Sequence, residues 1–291
     1  MGTHARVLTI GGAPDLPARL FEGLKSLEQR WSRFLDSSEL SVMNMNPGIP
    51  HPVSSESVEL LETMKRGHYL TKGAFDPTLL PALVDEGYVT SLVSPHLTTR
   101  VHEAARSRGN LDAVEIADGT VTVPRGTMID SGGVGKGLAA DMMARMATEA
   151  GALGVLVDVG GDVRVSGFSP RGDAWRLAIE DPFDTARQLS VVTVSEGGVA
   201  TSTVTKRRFQ SGSTDTHHII SPRTLKSTDS DTVQATVVAS TAADSEMWTK
   251  VAFVDGHREL FELARRRGFE VGCLLVSGEW VTTPGWPVAD D

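Results

Sequence analysis

The sequence has one cysteine, Cys273. A lone thiol excludes an intramolecular disulfide and any metal site built from several thiolates. Its neighbours Val271, Gly272, Leu274 and Leu275 place it on a buried strand. Long hydrophobic runs are also missing, and no stretch approaches the ~20 apolar residues of a membrane helix. No basic start leads into an apolar run at the N-terminus, so a cytoplasmic location is expected. Basic excess is lacking too. With 28 Lys and Arg against 37 Asp and Glu the net charge is −9, which argues against a nucleic-acid surface. There is no internal repeat and no low-complexity linker. What remains is an ordinary globular composition, 40% hydrophobic and 22% charged over 291 residues, enough for a sizeable core.

The stretch that stands out runs from Ile129 to Val165. A strand end with Asp130 enters the turn Ser131-Gly132-Gly133-Val134-Gly135-Lys136-Gly137. A helix follows with Leu138, Met142, Met146 and Ala150 on one stripe, stopping at Gly151. An apolar strand, Val155 to Val159, then leads to a second turn at Gly160-Gly161. Glycine turns beside a helix let backbone amides approach an anion, and Lys136 adds a movable positive charge. These residues point to a site for a phosphorylated ligand; the alternative is a tight strand-to-helix connection with no ligand. Two common phosphate motifs are absent. A P-loop would need glycine where Asp130 stands and Ser or Thr where Gly137 stands. A dinucleotide fingerprint from Gly133 and Gly135 would need a third glycine where Leu138 stands.

Elsewhere the patterns predict a strand from Met1 to Ile10 and a helix from Leu16 to Phe34, with Trp31 and Phe34 in its core stripe. A polar turn at Asp36 to Ser41 leads into Val42-Met43-Asn44, or serves as a helix cap. Ser55 to Thr71 is a second amphipathic helix, broken by Gly73-Ala74-Phe75-Asp76-Pro77-Thr78. Residues 85–128 form a hairpin-rich insert turning at Gly119. Strands are expected at Trp175 to Ile179, Leu189 to Val194, from Gly198 into a polar loop, and at Gln234 to Ala239. Thr203 to Gly212 is a basic, exposed segment, and His217 to Pro222 ends a strand. Helices at Asp244 to Val254 and Glu259 to Arg267 precede a hairpin of Leu274 to Val276 and Trp280 to Thr282. Strands and helices mix without strict alternation, so the class is α+β with a mainly antiparallel sheet.

Several of these stretches, in order, resemble the ApbE family of FAD:protein FMN transferases. They are Met1-Gly2-Thr3, Phe34 to Asn44 with its Ser-Glu-Leu-Ser, Phe75-Asp76-Pro77-Thr78, Ile129 to Asp141, Gly160-Gly161-Asp162, Thr201-Ser202, His218-Ile219-Ile220 and the helix near Glu246. The resemblance implies a single flavin transferase domain of T-fold kind over residues 1–291, with FAD held between two lobes. It implies an enzyme that splits the FAD pyrophosphate, attaches FMN to a threonine or serine of a partner flavoprotein and releases AMP, with Mg2+ assisting. It also implies the contacts. Those for FAD are Ser38, Glu39, Leu40, Met43, Phe75, Asp76, Thr78, Asp130, Gly132, Gly133, Lys136, Thr201 and His218. Met43 and Phe75 are placed near the flavin rings, and His218 with Lys136 near the chemistry. His218 is the candidate base, and His217, with no counterpart, is expected to be exposed.

The departures fall at the metal positions. The family's metal ligands correspond to the carbonyl of Gly135 and to Glu246 and Lys250, and an ammonium cannot coordinate a metal. Asp244 is an alternative carboxylate. Ser221, Thr203 and Ser131 replace a family aspartate, glycine and leucine. Magnesium therefore stays open, and so does an alternative function: an FAD-binding relative with weak or no transfer, acting as a flavin carrier or FAD pyrophosphatase.

Overall fold

The structure is a computed structural model that describes residues 3–91, 93–211 and 214–289. Met1, Gly2 and Gly212, which figured in the sequence reading, lie outside them. Chain contacts divide the molecule into two compact units. Of the described residues, a sheet unit holds 3–24, 136–206 and 229–289, and a helical unit holds 25–135 and 207–228.

The sheet unit is built on seven strands: β1 (Ala5–Gly11), β5 (Ala152–Val159), β6 (Asp162–Gly167), β9 (Gly197–Thr203), β12 (Thr232–Ala239), β13 (Glu270–Leu275) and β14 (Trp280–Thr282), hydrogen-bonded in that order. Every neighbouring pair is antiparallel. The central strands are covered on both faces, which is why they read as apolar runs rather than alternations. In β5, Val155, Val157 and Val159 are buried, and Leu156 is buried on the opposite face. Leu156 joins Val165, Val199 and Trp286 in a core closed by the hairpin β7 (Trp175–Glu180) and β8 (Gln188–Val194), through Trp175, Ile179, Val192 and Val194. Helices α5 (Gly135–Glu149), α6 (Ala242–Val254) and α7 (His257–Arg267) complete the unit. Helix α6 is buried nearly all round, so it carries little sequence amphipathicity and is anchored by contacts at both ends.

In the helical unit, the last turns of helix α1 (Leu16–Trp31) deliver Trp31 to a buried site, where its indole N–H donates to Ser57 Oγ at 3.0 Å. The helix stops at Trp31 instead of Phe34 because the next residues turn, with Leu35 N–H donating to the Ser32 carbonyl. That turn delivers Ser38 to the N-cap of a short helix, α2 (Glu39–Met45), where its Oγ accepts from Ser41 N–H at 3.0 Å. The capping alternative for this segment is therefore the one realised. Helices α3 (Ser55–Leu70) and α4 (Leu80–Asp85) follow. The hairpin β3 (Glu115–Ala117) and β4 (Thr120–Thr122) turns at Gly119 as expected, and β4 also pairs with β2 (His51–Pro52). The segment from Thr203, expected as a basic loop, contains β10 (Arg208–Ser211), paired with β11 (Thr214–His217). Among the described residues no helix is long and apolar enough to cross a membrane.

Candidate functional site

Within the sheet unit the structure gathers a buried charge cluster around Lys136. The Lys136 ammonium donates to Asp162 Oδ2 and, at 2.6 Å, to Glu246 Oε1. Glu246 Oε2 accepts the Gly137 N–H at 2.9 Å. The carboxylates are 3% and 1% exposed, so neither is a surface ion-pair partner. Lys136 was expected to be a movable charge; it is instead fixed, because two desolvated carboxylates each need a cation. Burial pushes Asp162 up to about 7, with the charge of Glu246 adding to it. Glu246 meets the same burial penalty, yet the charges of Lys136 and Lys250 and the hydrogen bonds from Lys136 and Gly137 N–H hold it below the usual carboxylate range.

Lys250 lies one helical turn after Glu246, and its charge acts on the Glu246 carboxylate. Its ammonium donates to the Glu246 carbonyl at 2.9 Å, Ser202 Oγ at 3.1 Å and Thr249 Oγ1 at 3.1 Å. Thr201 Oγ1 and Thr236 Oγ1 are 2.9 Å apart, bridging β9 and β12. Asp244 sits in the first turn of α6, its N–H donating to the N-cap Thr241 Oγ1 at 3.1 Å. Two residues from Glu246 on a helix, it points to a different side. Among the described residues no group of three or more His, Cys, Asp or Glu is arranged to hold a metal.

Two residues outside the expected site hold this corner together. Asp141 accepts the N–H groups of Ala242 and Ala243, each at 2.9 Å, at the start of α6. Gly137 allows α5 and α6 to meet backbone to backbone, since a Cβ there would stand 2.4 Å from the Ala242 carbonyl oxygen. The glycine that closes the lysine turn is thus required by helix packing, whatever anion the turn binds. Asp162 and Asp141 both stand in motifs that carry the family resemblance, Gly160-Gly161-Asp162 and Ile129 to Asp141, but the partners each one meets are set by the fold.

The helical unit brings together a second group. Asp130 Oδ1 accepts from Gly132 N–H at 3.2 Å, and Oδ2 accepts from Arg33 Nη1 at 3.3 Å. Arg33 is buried, with its guanidinium carbon 4.7 Å from the ring centres of both Phe34 and Tyr88. Asn44 pins the preceding Ile129 through both backbone groups, at 2.8 and 2.7 Å. Asp76 Oδ1 accepts from the hydroxyl and N–H of Thr78 at 2.6 and 2.9 Å, while Oδ2 accepts from Arg108 Nε at 2.7 Å. Asp76 and Thr78 therefore build the rigid turn that Asp-Pro-Thr suggests. Glu39 Oε2 accepts from the Ser54 hydroxyl and N–H at 2.9 and 3.1 Å, tying α2 to the start of α3. Leu40, Met43 and Phe75 are buried.

Gly132 is exposed and Gly133 half-buried, while Gly135 is buried with its N–H donating to the Ser131 carbonyl at 2.7 Å. His218 is half-buried directly after β11. His217, expected to be exposed, is buried: Nε2 lies 3.1 Å from the Thr228 carbonyl and Nδ1 accepts from Ile219 N–H at 3.3 Å. Its two ring nitrogens serve the backbone of this turn, which the side-chain pattern does not reveal.

Comparison with known proteins gives consistent matches. The model of the ApbE family matches residues 1–275. The FAD:protein FMN transferase of Salmonella typhimurium is 27% identical over 295 residues, covering 97% of this chain and 84% of that protein. The enzyme of the same name from Treponema pallidum is 26% identical, covering 91% and 79%. The crystal structure of the ApbE protein of Thermotoga maritima matches with a TM-score of 0.84 at 25% identity, over 98% of this chain and 94% of that one. The flavin transferase ApbE of Vibrio cholerae shares the fold, with a TM-score of 0.81 at 21% identity over 99% and 96%.

Proposed function

The chain belongs to the ApbE family, and from that premise we propose that it is an FAD:protein FMN transferase. A threonine or serine hydroxyl of an acceptor flavoprotein attacks the phosphorus on the FMN side of the FAD pyrophosphate. The P–O bond to AMP breaks, AMP leaves, and the hydroxyl proton passes to a base. His218 is the base assigned here, since phosphoryl transfer to a neutral hydroxyl gains from one positioned proton acceptor. The observation that carries this reading is the family match from residue 1 to 275, which also supports taking the chain as one ApbE-like domain.

In this proposal the turn after Asp130 offers backbone amides to the pyrophosphate. Arg33 and Asn44 keep that turn in place through Asp130 and Ile129. Lys136 acts as a fixed charge, its ammonium shared with Asp162 and Glu246. A magnesium ion, if bound, would supply further neutralisation of the phosphates, but the residues at the expected positions do not fit one. Both Glu246 oxygens already accept hydrogen bonds. Lys250 has no lone pair to give, and Gly135 offers only a carbonyl. No step is therefore assigned to a metal.

Incubation with FAD and a threonine-containing acceptor flavoprotein tests the proposal. AMP, read by chromatography, and covalent FMN, read by the acceptor's mass, should appear in equal amounts. AMP without label would make the protein a pyrophosphatase, and neither product would refute the proposal. His218→Ala should lower labelling by about 100-fold or more while FAD affinity, read by flavin fluorescence, stays within a few-fold.

A further inference from the structure

We infer that the ammonium of Lys250 does the work of a bound cation in the sheet unit: it balances the buried Asp162–Glu246 pair, and no magnesium ion binds there. A magnesium ion needs about six oxygen ligands near 2.1 Å, in near-octahedral array, each with a lone pair to spare. At this corner both Glu246 oxygens and one Asp162 oxygen already accept hydrogen bonds. Glu246 Oε1 takes Lys136 at 2.6 Å and Oε2 takes Gly137 N–H at 2.9 Å. Asp162 Oδ2 takes Lys136 as well. The Glu246 carbonyl and the hydroxyls of Ser202 and Thr249 surround the Lys250 ammonium at 2.9, 3.1 and 3.1 Å. An ammonium has donors and no acceptor, so each of these oxygens gives a lone pair to Lys250.

Charge counting points the same way. With both buried carboxylates ionised, they face two ammonium groups, Lys136 and Lys250, and the formal sum is zero; a proton on Asp162 would make it positive. A dication added to that neutral group would leave a buried excess of two positive charges, which desolvation penalises heavily. It could enter only by expelling a lysine. A plain surface role for Lys250, as the cation of a pair four residues apart, does not fit the geometry: the Glu246 carboxylate is 1% exposed, and the Lys250 ammonium also donates to the Glu246 carbonyl. The inference concerns charge balance in the sheet unit and holds whether or not FMN is transferred.

The test uses the full chain, dialysed against chelator, and reads melting temperature and metal content rather than turnover. The wild-type melting temperature should agree within about 1 °C in chelator and in millimolar magnesium chloride, and elemental analysis should find well under one metal per chain. Lys250→Met removes the charge while keeping the stem. It should melt lower in chelator and regain about 3 °C or more with magnesium, since the group then lacks one positive charge. Lys250→Gln should behave alike. If neither variant folds, magnesium insensitivity of the wild type, with its metal content, decides in favour. Magnesium stabilisation of the wild type, a stoichiometric metal lost in Glu246→Gln, or folded Lys250 variants indifferent to magnesium would each overturn the inference.

Discussion

At the scale of single residues, burial decides more than residue type does. Lys136 was legible as a cation in a glycine turn, but its partners lie 26 and 110 positions away, so no local pattern reveals that it is already paired. Asp141 is the companion case. Burial pushes its carboxyl from 3.8 up to about 6, against the hydrogen bonds of Ala243 and Ala242 and the charge of Arg164. A raised folded value means that the stability it contributes is fully present below 3.8 and lost as pH rises through about 6. Asp141→Asn does not titrate. Between about pH 4 and pH 7 the wild type should therefore lose about 1–3 kcal/mol relative to the variant, read by urea unfolding at both values. Cys273 follows the same rule. Burial, with the charge of Asp231 added, raises its thiol to about 12. A chromogenic thiol reagent at mildly alkaline pH should leave the native protein unlabelled and react fully once urea is added.

Among elements, the long periodic ones were readable and the contact-dependent ones were not. Helix α3 and the start of α1 follow their apolar spacing closely, because an amphipathic stripe needs only one partner surface. Helix α2 was masked by its seven-residue length and is held by the Ser38 cap. The basic segment after Thr203 hid β10, whose pairing with β11 depends on a chain returning several residues later. The meeting of α5 with α6 is likewise tertiary. Gly198 of β9 repeats the demand of Gly137, since a Cβ there would stand 2.2 Å from Ala242 N. Gly137→Ala should destabilise by about 2–3 kcal/mol, read by urea unfolding, because backbone rather than a flexible side chain must give way.

On the scale of the whole molecule, the proposed flavin reading makes FAD a ligand of the native state alone. At about 100 times its dissociation constant FAD should add about 2.7 kcal/mol and raise the melting temperature by roughly 5 °C. A scan showing no shift over a wide FAD range would count against flavin binding. The amino-acid sequence by itself determined the α+β class, most helices and strands, and the ordered motifs that resemble the ApbE family, because spacing, turn residues and short motifs act over a few positions. It located the Lys136 turn and Glu246, and the resemblance joined them only as metal positions, through Gly135, and not as an ion pair. Only the tertiary structure decided that Lys136 is clasped by Asp162 and Glu246, that Lys250 sits in an oxygen cage, and that His217 is buried. The physical reason is that desolvation and charge pairing depend on which distant segments exclude water together, and that is a property of the folded chain.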